Sequence, residues 1–337
     1  MTVRAQSPNQ PWYSATRAGR LCARRPDAMS VAHRPVLLEE TVAALCVRAD
    51  GRYVDATFGR GGHSAAILQR LGPEGRLWAF DQDPQACQAA WRRFGADARF
   101  GIRQASFADL AAVLEPEGVR GAIDGMLFDL GVSSPQLDDP ARGFSLQGEG
   151  PLDMRMNPAA GPSAADWLAT AEERDIARVL RELGEERHAR RIARAIVRAR
   201  AQAPIDTTTR LAGIVASVVA RPHGPAGRLH PATRTFMALR IHINGELAAL
   251  ERALPQALDL LGPGGRLAVI AFHSLEDRIV KRFMRREARP EPDPLSMVEP
   301  PPPRLKLCGK ARRASADEIA SNTRARSAVL RVAEKVR

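Results

Sequence analysis

The chain is poor in lysine and cysteine and has no long apolar run, and each shortage removes a class of protein. No stretch approaches the roughly 18–20 apolar residues that a membrane span needs, so no membrane association is expected. Cys22, Cys46, Cys87 and Cys308 lie far apart, with neither metal-ligand spacing nor the pattern of a disulfide framework. A reducing cytoplasm fits them. The seven histidines are scattered and no H-E-x-x-H occurs, so no metal site is expected. Only Lys281, Lys306, Lys310 and Lys335 are lysines, which leaves 46 arginines among the 50 basic residues. A genome rich in G and C inflates arginine and alanine together, and compositional drift is one reading of the formal charge of +12. The other is a polyanionic partner, whose phosphates release counterions to Lys and Arg.

What is present suffices for one large domain with an insertion, or for two domains: 337 residues, 45% of them hydrophobic. Residues 1–30 carry Arg4, Arg17, Arg20, Arg24 and Arg25 against the single acid Asp27, with no apolar period. A disordered basic extension, an organelle transit peptide and a start set too early compete here. The last is preferred, because Met29 directly precedes the first patterned segment.

From residue 31, strand and helix patterns alternate. Val36–Leu45 has helical spacing, Tyr53–Phe58 reads as a strand and Ser64–Leu71 as a helix. Strand Arg76–Phe80, helix Pro84–Phe94, strand Phe100–Gln104 and helix Phe107–Leu114 follow, and Ile123–Leu130 is an apolar run closing on Asp129. Near-continuous apolar strands between helices predict an α/β fold with a parallel sheet covered on both faces. The alternation stops over residues 140–232, where Ile176, Val179, Leu180 and Leu183, then Ile192, Ile196 and Ala199, then Leu211–Ala220 give three helices. Pro204 stops the second, and Pro222, Gly224, Pro225 and Gly227 form a breaker-rich link. The expectation is an inserted helical domain at 140–232 within an α/β domain of 31–139 plus 233–337. The α/β pattern resumes with a helix over Thr235–Leu261, bent near Pro255. A turn at Gly262–Gly265, strand Arg266–Phe272, helix Asp277–Arg286, a Pro-rich loop at 290–303 and a final strand Ser327–Ala333 complete the reading.

In a doubly wound sheet, ligands sit beyond the carboxyl ends of the central strands. The first strand runs into Gly59-Arg-Gly-Gly62, where backbone approaches a ligand without an intervening Cβ. The helix behind it aims free N–H groups at the same spot. About twenty residues on, Asp81 ends the second strand, where a carboxylate accepts ribose hydroxyl protons. Nicotinamide enzymes share these features, but G-x-G-x-x-G requires glycine where Ser64 stands. The turn is therefore read as the holder of a methyl donor, S-adenosylmethionine. A tight turn without a ligand and Asp81 as a plain helix cap are the alternatives. Ser106 and Phe107 follow the third strand, where Phe107 contacts adenine or simply fills the core. Asp129 ends the fourth strand and faces the donor, followed by a polar turn at Ser133–Gln136. An exocyclic amine needs an acceptor for its N–H protons and in-line placement against the methyl. Asp129, or a carbonyl just after it, supplies that acceptor; alternatively Asp129 only orients the donor.

Taken together, these stretches resemble the bacterial 16S ribosomal RNA cytosine-N4 methyltransferases, the small subunit methyltransferase H family. The resemblance rests on His33-Arg-Pro-Val-Leu-Leu-Glu-Glu40, Asp55-Ala-Thr-Phe-Gly-Arg-Gly-Gly-His-Ser64, Asp81-Gln-Asp-Pro84 and Asp129-Leu-Gly-Val-Ser-Ser-Pro-Gln136. His230-Pro-Ala-Thr-Arg-Thr-Phe236, Phe272-His-Ser-Leu-Glu-Asp-Arg278 and Arg324-Ala-Arg-Ser327 add to it. It implies a class I methyltransferase-like, Rossmann-like fold and methylation of the N4 amine of a cytidine in the decoding region of 16S rRNA. It also implies donor contacts at Gly61, Gly62, His63, Asp81, Phe107, Asp129 and Gln136. The partner implied is 16S rRNA in the small ribosomal subunit; a homodimer stays open. As in that family, 129–132 lacks the Pro-Pro-aromatic turn of many DNA amino-methyltransferases, so the amine's proton acceptor stays unassigned.

Arg187, Arg190, Arg191, Arg194 and Arg198 share one face by i, i+3, i+4 spacing, with Arg200 nearby. They contact rRNA phosphates, or form a solvated face paired with Glu185 and Glu186. Arg191, Arg194, Arg234 and His273 are the expected RNA-facing residues, with His273 as a general base or a structural hydrogen-bonding group. Asp153 and Arg155 suggest a mobile lid over the target base.

Overall fold

The computed structural model describes residues 35–219, 230–291 and 299–336. The basic extension, the link at 222–227 and residues 292–298 of the Pro-rich stretch lie outside them. In chain order the elements begin with α1 (Leu38–Leu45), β1 (Arg52–Asp55), α2 (Gly62–Leu68), β2 (Arg76–Asp81) and α3 (Pro84–Phe94). Then come β3 (Phe100–Gln104), α4 (Leu110–Leu114), β4 (Ile123–Asp129), α5 (Ser134–Asp138), α6 (Ala164–Thr170), α7 (Glu173–Gly184) and α8 (Ala189–Arg200). The remainder is α9 (Thr208–Val218), α10 (Thr233–Asn244), α11 (Glu246–Leu260), β5 (Leu261–Ala271), α12 (Ser274–Ala288), β6 (Leu305–Leu307), β7 (Arg312–Arg313), α13 (Ala316–Ser321) and β8 (Val329–Lys335). No helix among the described residues is long and apolar enough to cross a membrane.

These elements form two compact units, one of residues up to Gly131 and from Leu247 onward, the other Val132–Glu246. The first holds the sheet, in the order β3-β2-β1-β4-β5-β8-β6, with β7 also pairing β8. Strands β1 to β5 run parallel; β8 runs antiparallel to β5, β6 and β7. The chain winds outward from β1 to β3, then crosses to β4 on the other side of β1. That reversal leaves a crevice beyond the carboxyl ends of β1 and β4. The arrangement is the Rossmann-like, class I methyltransferase-like fold expected.

Period-two alternation explains why the strand runs are almost wholly apolar. Trp78 and Phe80 of β2, Met126 and Phe128 of β4 and Val269 of β5 point to one face, under α4, α11 and α12. Leu77, Ala79, Leu127, Ala268 and Ile270 point to the other, under α1, α2 and α3. Both faces are buried, so the middles of these strands are filled mainly by hydrophobic side chains. The short edge strands β6 and β7 were not expected; each pairs only with β8.

Three expectations need correction in this part of the chain. The turn at Gly262–Gly265 lies inside β5, as an irregularity: Ile123 pairs with Leu261 and Gly125 with Arg266, so β5 carries extra residues there. The single helix expected over Thr235–Leu261 is two helices: α11 continues through Pro255 to Leu260, and the break falls at Gly245, which caps α10 in the left-handed region at φ 59°. The unit boundaries fall at 131/132 and 246/247, so α10 belongs with the helical unit and not with the sheet, where it was expected.

The helical unit has its own core. Ile176, Val179 and Leu180 of α7 meet Ile192, Ala193 and Ile196 of α8, with Leu211, Val215, Phe236 and Leu239 around them. Helix α6, too short to show a period, adds Leu168. Gly184 lets α7 approach α10; a Cβ there would stand 2.7 Å from the Arg234 carbonyl oxygen.

Gly245 offers a test that isolates backbone strain, because a Cβ there meets nothing within 4 Å. Gly245→Ala is expected to destabilise the protein by about 1–2 kcal/mol from the left-handed backbone alone. Gly245→Asn is expected to cost less, and chemical denaturation of both variants measures the difference.

Candidate active site

The carboxyl edge of β1, β2 and β4 gathers the residues that the sequence singles out, apart from those in the helical unit. After β1 the chain turns through Gly59 at φ 55° and Gly61 at φ 69°, a region that L side chains rarely adopt. A Cβ on Gly61 would lie 2.4 Å from the Phe58 ring, and one on Gly62 would lie 2.1 Å from Pro35 Cγ. Packing thus demands glycine at both positions, and at Gly61 the left-handed backbone does so as well. Gly61 precedes α2, whose first N–H groups have no partner within the helix.

Asp81 closes β2 and accepts two backbone N–H bonds, from Gly59 at 2.8 Å and from Asp83 at 2.9 Å. It therefore fastens the glycine turn to the neighbouring strand. Burial pushes its carboxyl up to about 7, against those two bonds. Asp55 closes β1, fully buried, and accepts from the Ser64 hydroxyl at 2.7 Å and the Thr57 N–H at 3.2 Å. Burial raises its carboxyl to about 6.

Asp129 closes β4, its own N–H donating to Thr57 Oγ1 at 2.6 Å. Its Oδ1 is shielded from solvent and has no hydrogen-bond partner. Its pKa is raised well above the usual carboxylate value, first by burial and then by the charges of Asp55 and Glu276. His63 Nδ1 lies 3.5 Å from Asp129 Oδ2. Burial lowers the imidazole to about 4, so it is neutral near pH 7 and the pair is not an ion pair. His63 Nε2 is also buried without a partner.

At the start of α12, Glu276 is buried and accepts from the backbone N–H groups of Phe272 at 2.8 Å and His273 at 3.3 Å. His273 Nε2 stands 3.1 Å from Glu276 Oε1. The imidazole is held by the helix cap, which matches the structural alternative for His273. Phe107 is half-buried in a 3₁₀ turn after β3, edge-on to Phe128 at 5.6 Å between ring centroids. Among the described residues, no group of three or more His, Cys, Asp or Glu is placed to hold a metal ion.

The other expected residues belong to the helical unit. Gln136 is buried there, and its Oε1 accepts from Ser133 N–H at 2.9 Å, closing the first turn of α5. Arg191 and Arg194 are exposed on α8. Arg234 is exposed and donates to the Glu185 carbonyl at 2.9 Å, holding the end of α7. Arg200 is partly buried and donates through Nη1 to the carbonyls of Leu168 and, at 2.7 Å, Ala171. The segment expected as a lid is held by local bonds. Asp153 and Arg155 form a bidentate pair at 2.9 and 2.7 Å, and Asn244 pins Met154 and Met156 on either side of Arg155.

Asp55, Ser64, Thr57 and Glu276 were missed as site residues. Asp55 carries the same signal as Asp129, an acid at the end of an apolar strand. Ser64 was read only as a missing glycine, yet its hydroxyl holds that buried acid.

The reversed parallel sheet, the glycine turn and the unpartnered acid beside them define a Rossmann-like methyltransferase domain. Residues 30–336 match the model of the MraW methylase family. The chain is 56% identical over 309 residues to Ribosomal RNA small subunit methyltransferase H of Thioalkalivibrio sulfidiphilus, covering 90% of this chain and 98% of that protein. It is 55% identical over 324 residues to the protein of the same name from Halorhodospira halophila, covering 95% and 99%. The chain belongs to the MraW methylase family and is a methyltransferase.

Asp55→Asn tests the carboxylate crowding. Asparagine keeps both bonds, since its amide NH₂ can donate to the Ser64 hydroxyl. A carboxyl raised from 3.8 to about 6 on folding contributes stability that is full below pH 4 and is lost as pH rises through 6. The variant lacks that loss. Its melting temperature is expected to exceed the parent's at pH 8, by an amount worth on the order of 1–3 kcal/mol, and the gap should close toward pH 4. Thermal scans across pH measure it.

Proposed function

We propose that this chain transfers the methyl group of S-adenosylmethionine to the N4 amine of a cytidine in the decoding region of 16S rRNA, in the cytoplasm. The observation that carries this reading is the shielded, unpartnered Asp129 Oδ1 at the carboxyl end of β4. An orphaned buried acceptor costs about 1–3 kcal/mol and is retained where a ligand completes it. When bound, the donor supplies an electrophilic methyl on a positively charged sulfonium.

The residues fit that group. Among the described residues, no Lys or Arg figures among the groups that act on Asp55, Asp81 or Asp129. A cationic ligand supplies the missing countercharge and returns Asp129 toward the carboxylate that accepts a proton or a hydrogen bond. Asp81, with one lone pair on each oxygen engaged by backbone, can accept ribose hydroxyls with the others. Gly61 and Gly62 give the backbone approach, His63 supports Asp129, and Phe107 offers a ring to adenine.

The helical unit recognises the RNA. Arg191, Arg194 and Arg234 would position phosphates without reading bases, and His273 would stand near the target base. Asp129 takes one of two parts: acceptor for the amine proton, or orienter of the donor's methionine portion.

The reading is tested by incubating labelled S-adenosylmethionine with unmodified small subunits and with naked 16S rRNA, then mapping the labelled nucleotide. Label on a cytidine N4 in the decoding region is expected, and no label on either substrate overturns it. Asp129→Asn separates the two roles. An acceptor predicts a 10²–10⁴-fold fall in kcat with donor affinity nearly kept; an orienter predicts that donor affinity falls as well. Isothermal calorimetry beside single-turnover kinetics reads both.

A further inference from the structure

The arginines of α7 and α8 face each other across one groove of the helical unit. Arg174, Arg178 and Arg181 project from α7 at i, i+4, i+7 spacing, a stripe about 10 Å long. Arg190 and Arg194 of α8 line the same concavity. It continues, through Arg181 and Arg190, into a second concavity lined by Arg187 and Arg191. Among the described residues, Glu173 and Glu186 are the only acids lining the two. The apolar faces of both helices are buried against each other, so packing leaves the guanidinium rows on the rims.

The pairing of these arginines is uneven. Arg174 meets Glu172 at 2.7 Å, Arg178 meets Asp175 at 3.3 Å, Arg181 meets Glu182 at 3.1 Å and Arg194 meets Glu173 at 3.7 Å. All four pairs are exposed and therefore weak. Glu186, expected to pair with the α8 arginines, turns inward and accepts from the His188 N–H at 2.8 Å. Among the described residues, Arg187, Arg190 and Arg191 meet no carboxylate within ion-pair distance, and all three are exposed.

We infer that this groove grips the phosphate backbone of structured RNA, with Arg187, Arg190 and Arg191 as its core and the α7 arginines as the opposite wall. The inference rests on the reading that the substrate is an RNA. Four residues of helix rise about 6 Å, comparable to the step between successive phosphates of one strand. Guanidinium forks match phosphate oxygens in pairs. The groove lacks exposed aromatic side chains on which unpaired bases would stack, which favours backbone contact over base reading.

The test compares the full-length chain with an Arg187→Gln, Arg190→Gln, Arg191→Gln variant and with the corresponding triple Arg→Lys variant. Binding to a 16S rRNA fragment and to an unrelated RNA hairpin is measured across salt concentration, and donor binding by calorimetry. The Gln variant is expected to lose at least about tenfold affinity for both RNAs, with the slope of log K against log salt falling by about 2–3. The Lys variant should keep most of the slope, and donor affinity should hold in both. Unchanged slope and affinity for both RNAs in a folded Gln variant overturn the inference. Methylation of 16S rRNA by the parent chain is scored separately. A parent that methylates no rRNA while the Gln variant loses RNA affinity refutes the proposed activity and keeps the groove.

Discussion

Three carboxylates end three adjacent parallel strands, and among the described residues no Lys or Arg acts on them. Asp55, Asp81 and Asp129 close β1, β2 and β4, and burial raises the pKa of each. Such crowding opposes folding, and the rest of the sheet unit is arranged around containing it. The Gly59 and Asp83 N–H groups are spent on Asp81 and the Ser64 hydroxyl on Asp55, while Thr57 serves both sides, its N–H to Asp55 and its Oγ1 from Asp129. Each bond is short in sequence or spans one strand spacing. The turn after β1 can therefore take few shapes other than the one it has.

That turn links the electrostatics to the packing. Gly61 and Gly62 leave no room for a Cβ because Phe58 and Pro35 occupy the space. Phe58 in turn contacts Phe94 and Phe100 at ring centroid separations of 6.1 and 6.0 Å, joining the turn to α3 and β3. The turn beside the strand-end acids is thus packed against an aromatic cluster of Phe58, Phe94 and Phe100. Preorganisation of this kind lets a site keep charges in place that solvent would otherwise screen or move.

Much of this was legible before any coordinates. Strands β2 and β4 are buried on both faces, so Leu77–Phe80 and Met126–Phe128 stand out as apolar runs, and the acid that stops each marks the carboxyl edge. Asp81 and Asp129 were read that way; Asp55 was not, because its importance lies in a contact with Ser64 nine residues on. One helix bent near Pro255 was expected where α10 and α11 part at Gly245. A proline inside a helix usually ends it, but α11 continues through Pro255, while a left-handed glycine needs no neighbours to stop α10. The edge strands β6 and β7, of three and two residues, have no pattern of their own. They exist because β8 offers unpaired backbone. The outward role of Arg200 failed for a similar reason: position on a helix gives its side, but the carbonyls of Leu168 and Ala171 that engage it come from another part of the chain.

The arginine surplus resolves into two populations in the helical unit. One is structural: Arg142 is buried and donates to the carbonyls of Arg155 and Met156, Arg200 does the same for the end of α6, and Arg240 makes a bidentate pair with Glu246. Compositional drift toward arginine would supply residues for such uses wherever a carbonyl or acid is left over. The other population lies on the rims of α7 and α8, where the available acids are already engaged or turned inward. Drift alone gives no reason for same-sign charges to gather across one groove, since each added arginine raises the repulsion on the others. The exposed pairs of Arg174, Arg178, Arg181 and Arg194 offset this repulsion only weakly, and Arg187, Arg190 and Arg191 have no such pair among the described residues, so an anion from outside the chain would relieve it. The RNA substrate proposed for this methyltransferase is such an anion.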